Sequence, residues 1–210
     1  MQKNLLLLFA VCIGITAAAQ DNLHVTSNKL DKTYITDNKR LPDLQYQYKL
    51  RQQKPWQDFL AENGVWYVTF NEENGRPHSA YGQPINVPGG TPELKVRNFI
   101  TSKLSGFNIP SEDLVLNNVG ETSKHLFVTF NQKYNGFDVL FGKFTAKLTH
   151  DSKLISWGAD VYTDITLSTA PSIDEQAAIS AASIDITENI TNVSVNSSLK
   201  VLPVPYFKSM

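Results

Sequence analysis

"HLFVTFNQKYNGFDVLFGKFTAKLTHDSKLISWGADV", His125 to Val161, is the stretch on which the fold turns. Its apolar residues recur at alternate positions: Leu126, Val128 and Phe130; Phe137, Val139 and Phe141; Phe144, Ala146 and Leu148; Ile155, Trp157, Ala159 and Val161. A period of two belongs to a strand with one buried face, because successive side chains leave a pleated backbone on opposite sides. Asn135-Gly136 readily supplies the positive φ angles of a tight hairpin turn, and "HDSK" at 150–153 supplies a second turn. Between Phe141 and Phe144 the parity slips by one. Because such a slip sends every later side chain to the other face, Gly142 reads as a bulge or sharp bend in a curled sheet.

Leu114 to Val119 supplies a further strand just upstream, after "NIPSED". Before that, "TPELKVRNFITSKLSGF" reads as the main helix. Thr91 can accept from a free amide of the first turn, Pro92 suits the first helical position, and Val96, Phe99, Ile100, Leu104 and Phe107 follow at helical spacing, with Gly106 marking the end. "VWYVTFNEENGRPHSAYG" reads as a hairpin with Trp66, Val68 and Phe70 on one face, and "PWQDFLAENG" as a short helix presenting Trp56, Phe59 and Leu60. Residues 20–54 form a polar leader with short extended pieces such as "LQYQYKL". Past Pro171, Ser172 and Glu175 have the spacing of a capping box opening an Ala-rich helix. Two uncertain strands then follow, too little to bury a core alone, so 169–210 reads as an incomplete C-terminal α/β unit. The expected fold class is α+β, a curled antiparallel sheet packed on one main helix.

"MQKNLLLLFAVCIGITAAAQ" has a basic residue, an apolar run too short to span a bilayer and an A-x-A pattern at Ala17 and Ala19. It reads as a cleaved secretory signal over 1–19. That predicts a secreted or periplasmic bacterial protein, with no membrane attachment after cleavage and without the single cysteine, Cys12. Loss of Lys3 from 19 basic residues leaves 18 against 20 acidic ones, and these are scattered. Nucleic acid selects clustered Lys and Arg, so no nucleic-acid partner is expected.

No reactive constellation accompanies the ladder. His24, His78, His125 and His150 lack the H-E-x-x-H spacing that places two imidazoles on one helix face, no G-x-S-x-G elbow singles out a serine, and no phosphate-cradling or dinucleotide loop occurs. The expectation is therefore no catalytic residue, no metal and no cofactor. Glu72-Glu73 reads as a solvated turn. The aromatic set Trp66, Phe70, Phe130, Tyr134, Phe141 and Trp157 reads as core in preference to a carbohydrate platform.

With these elements placed, the chain resembles the fungalysin/thermolysin propeptide (FTP) family. In that motif a His leads a strand ending Q-x-Y-x-G, followed by V-x-x-G and a hairpin with a D-x-K-type turn. The matching positions are His125, Gln132, Tyr134, Gly136, Val139, Gly142, Asp151 and Lys153. "VWYVTFNEENGRPHSAYGQPI" is similar to the family's W-x-V-x-x-N…G-x-P hairpin, the 91–116 stretch to its linking helix, and "APSIDEQAAISAAS" to the start of a PepSY-type segment. The resemblance spans roughly Trp56 to Ser183. It implies an FTP-like domain over 55–168 and a non-catalytic pro-region that helps a zinc metallopeptidase domain fold and holds it inactive. That partner domain, with its H-E-x-x-H, is absent from this sequence. The hairpin residues Tyr134, Gly136, Phe137, Asp138 and Val139 are the expected partner contacts. A stand-alone secreted binding or adhesion module, taking a protein or glycan on the same sheet, is the alternative.

Overall fold

The computed structural model describes residues 12–13, 42–184, 195–196 and 198–203. The expected signal segment, Cys12 and Ile13 excepted, and residues 20–41 of the leader lie outside them. The strands are β1 (Cys12–Ile13), β2 (Trp66–Phe70), β3 (Pro77–Asn86), β4 (Leu114–Glu121), β5 (His125–Tyr134), β6 (Phe137–Thr149), β7 (Lys153–Asp160), β8 (Val195–Asn196) and β9 (Lys200–Val201). The helices are α1 (Leu44–Arg51), α2 (Lys54–Asn63), α3 (Pro92–Lys103) and α4 (Glu175–Ser183).

Six strands run antiparallel in the order β2-β3-β7-β6-β5-β4, and β9 joins β6 in parallel as the seventh. The sheet is curled and does not close into a barrel, so the fold is α+β. β1 and β8 pair separately. One face carries the core. Trp157 sits at its centre, with ring centroids 5.5 Å from Phe59, 6.0 Å from Phe99, 5.7 Å from Phe107 and 6.3 Å from Phe144. Helices α2 and α3 thus lie over the middle strands, as the spacing of Trp56, Phe59, Val96, Phe99 and Ile100 requires. Arg97 of α3 stacks its guanidinium 4.8 Å over Phe130 and donates to the carbonyls of Ser111 and Leu114, fastening the helix to β4 and β5.

The turn and helix-start chemistry is visible in the backbone. Asn135 and Gly136 both have positive φ, 49° and 87°, as a two-residue turn between right-twisted strands demands. The Thr91 hydroxyl accepts from the Leu94 amide at 3.2 Å. At the last helix the cap is Asp174 and not Ser172: its carboxylate accepts from the Ala177 amide at 2.7 Å. A charged acceptor beside the positive helix end is the stronger cap.

Three expectations change. "LQYQYKL" is helical, opened by Asp43, which accepts from the amides of Gln45 and Tyr46. Only Gln47 and Leu50 of this helix are buried, so it carries no apolar stripe to betray it. Phe141 does not share a face with Val139: its φ is +65° and its side chain is 72% exposed. The irregularity predicted at Gly142 thus begins one residue earlier. There Asn131 pairs with Lys143 and Lys133 with Asp138, so Gln132 alone stands opposite Val139 to Gly142. In β7 a second register shift pairs Leu148 with Leu154 and Lys147 with Ser156, so Leu154 is buried and Ile155 is displaced from the core face.

Candidate functional site

The hairpin residues expected to contact a partner fall into unlike surroundings. Gly136 is at the exposed turn, and Phe137 and Asp138 are half-buried beside it. Lys133 bridges the hairpin to Asp138 at 2.7 Å. Val139 is buried, paired with Val201 of β9, so its side chain is not on offer to a partner. The Tyr134 hydroxyl donates to the Leu167 carbonyl at 3.2 Å and lies 3.4 Å from the Leu167 amide.

Tyr134 acts together with Gln132, which is buried. The Gln132 amide nitrogen donates to the Tyr162 carbonyl at 2.5 Å, and its oxygen accepts from the Tyr162 amide at 2.8 Å. A primary amide presents the same donor and acceptor as a peptide group, so Gln132 replaces one rung of the ladder where the chain has left β7. The two side chains of the Q-x-Y pattern therefore hold the segment from Tyr162 to Leu167 against β5. Gly142 makes room for this: a Cβ there would lie 2.9 Å from the Gln132 Cβ and 3.0 Å from its Oε1.

A cleft of about 620 Å³ opens at this end of the sheet, lined among others by Glu73, His78, Phe141, Lys143, Asp160 and Tyr162. Its wall holds a hydrogen-bonded array. Asp160, 8% exposed, accepts from the Asn71 amide at 3.0 Å and sits 2.8 Å from His78 Nδ1. With the carboxylate accepting, Nδ1 carries the proton, and in the neutral ring Nε2 is left as an acceptor. Burial raises the Tyr162 hydroxyl above the usual tyrosine range, and the nearby Glu73 and Asp160 charges raise it further.

Sequence spacing gave no hint of this array, because His78 and Asp160 are 82 residues apart. The one local signal is Gly158. A Cβ there would lie 2.2 Å from the His78 carbonyl oxygen, so the small residue permits the two strands to approach beside the pair. Among the described residues no group of three or more His, Cys, Asp or Glu side chains is placed to hold a metal ion, and no helix is long and apolar enough to cross a membrane.

The tryptophans are placed in the core, each at most 5% exposed, together with Phe70 and Phe130. They cannot form a carbohydrate platform. On the opposite face Tyr67 and Tyr81 are directly paired across β2 and β3 and stack at 5.5 Å, with both rings exposed.

No family profile matches this sequence, and no curated protein matches it. Among solved structures the chain is similar to the Bacillus megaterium YpeB C-terminal domain, with 13% sequence identity over 66% of this chain and 74% of that one, at a TM-score of 0.34. The similarity is weak, and a score at that level does not establish a common fold.

Proposed function

We propose that the chain is a non-catalytic pro-region that assists folding of a secreted zinc metallopeptidase domain and inhibits it, the peptidase lying outside this sequence. The observation that supports the reading is that three of the FTP-like motif residues make one unit. Gln132, Tyr134 and Gly142 are spent on holding a sheet and its exit segment in shape, while the hairpin tip at Gly136 and Phe137 stays accessible. A templating surface needs fixed shape and no reactive group. Co-expression of this chain with a secreted zinc metallopeptidase domain of the thermolysin type tests the proposal. The yield of active enzyme should fall when the chain is left out, and the purified chain should slow the mature enzyme. A peptidase that folds equally well alone and is not slowed rejects the reading.

A second reading, a stand-alone secreted binding module, is favoured by the stacked and exposed Tyr67–Tyr81 pair. Planar rings with polar tips suit recognition at low entropic cost. Replacing both tyrosines with serine should then abolish ligand capture while leaving inhibition of any peptidase intact.

A further inference from the structure

We propose that the cleft at the His78–Asp160 end of the sheet is a binding site for a cationic peptide side chain, lysine or arginine, supplied by a protein partner. This goes beyond the pro-region reading and holds whether or not the partner is a peptidase.

Asp160 carries the argument first. It is buried, yet among the described residues no lysine or arginine forms an ion pair with it, although Lys143 stands opposite it in the β6–β7 pairing and lines the same cleft. Its partners are the neutral Asn71 amide and a histidine that is charged only when protonated. Buried carboxylates are ordinarily compensated by a full positive charge, because removal from water costs an unpaired ion heavily. Here each carboxylate oxygen has a hydrogen-bond partner, but neither partner carries a permanent positive charge.

The remaining walls select the same kind of ligand. Glu73 at the exposed rim, Glu72 and Asp160 place three carboxylates in the lining against one ammonium, that of Lys143, so acidic groups outnumber basic ones there. Phe141 supplies a flat apolar wall. It is held at φ +65°, a conformation that bulky residues rarely adopt, with its ring directed away from the core. An aromatic wall beside carboxylates accommodates both the aliphatic stem and the charged head of a basic side chain. The volume, about 620 Å³, is within the range of ligand-binding clefts.

The test is an amide-resolved NMR titration of the full chain with N-acetyl-arginine amide, set against the neutral isostere N-acetyl-citrulline amide and against methyl glucoside. The arginine compound should shift the amides of Asn71, His78, Phe141 and Tyr162 saturably, and added salt should weaken it. Glu73→Gln, a change at an exposed side chain, should weaken it about fivefold, the loss of one carboxylate a few ångström away in a wet cleft. Phe141→Ala should weaken it as well. The proposal is overturned if the arginine compound produces no saturable shifts, if the citrulline compound binds equally, if Glu73→Gln changes nothing, or if the glucoside alone occupies the cleft.

Discussion

Gln132 and Tyr162 exchange two hydrogen bonds, side-chain amide to backbone peptide, across a gap where no strand pairing exists. The bulge creates that gap, since β6 bows outward over Val139 to Gly142 and β7 has already ended at Asp160. Without the glutamine, the Tyr162 peptide group would be left half-buried with neither partner. Gln132→Ala is therefore expected to destabilise the fold by about 2–4 kcal/mol, the cost of stranding one donor and one acceptor. Gln132→Glu should do no better, because a carboxylate can accept from the Tyr162 amide but repels its carbonyl. Urea unfolding of the two variants against the parent measures both. A loss below about 0.5 kcal/mol would show that water replaces the amide at no cost.

The same device recurs at Gln47. Its amide nitrogen donates to the Phe70 carbonyl at 2.8 Å and its oxygen accepts from the Phe70 amide at 2.9 Å, while Arg51 donates to the Val68 carbonyl. Helix α1 thus covers the free edge of β2 with side chains. An uncovered edge offers unpaired peptide groups to other molecules. Gln47→Ala should cost about 2–4 kcal/mol and should also promote aggregation, visible as increased light scattering on mild heating. Loss of stability without added scattering would mean that β2 is sealed by something other than Gln47.

These two glutamines also mark what the sequence could and could not disclose. The ladder from β5 to β7, the Asn135-Gly136 turn and helix α3 are legible because each rests on local periodicity or local turn chemistry. Helix α1 is not legible, since its buried pair is a glutamine and a leucine and its identity as structure comes from Phe70, far along the chain. The exposed position of Phe141 was hidden for a related reason. Alternation names a face only while the backbone stays regular, and the positive φ at Phe141 breaks that assumption one residue before the glycine that advertises it. The cleft was hidden altogether, because His78, Asn71 and Asp160 meet only through the β3–β7 pairing. The hairpin patch was half legible: its turn residues are exposed, but the burial of Val139 depends on β9, whose two residues carry no readable pattern.

The three tryptophans give a direct check on the core. Trp56, Trp66 and Trp157 are buried among Phe59, Phe70, Phe99, Phe107 and Phe144. Their fluorescence should be blue-shifted and only weakly quenched by acrylamide, with quenching rising to that of free indole in urea. Strong quenching in the native state would place at least one indole on the surface and revive the carbohydrate platform.

The turn between β6 and β7 predicts a particular pH response. Lys153 Nζ lies 2.6 Å from Asp151 Oδ2, and hydrogen bonds from Lys153 and then Thr149 hold the Asp151 carboxyl at about 2, below the ordinary value of about 3.9. A carboxyl that is more acidic in the folded state than in the unfolded one adds stability above the unfolded value, and that contribution disappears as pH falls through the folded value. The window is thus from about pH 4 down to about pH 2. Because Asp151 is exposed, the effect is local to the hairpin and screened by salt. Carbon-detected NMR should find the Asp151 midpoint near 2 in the parent, moving toward 3.9 in Lys153→Met. The difference in stability between parent and variant should shrink as the pH is lowered through this window. A parent midpoint at the ordinary value would mean that Lys153 and Asp151 do not pair in solution, and the turn would then owe its shape to Ser152, whose φ of +66° closes it, and to the hydrogen bonds of Thr149 with Lys153.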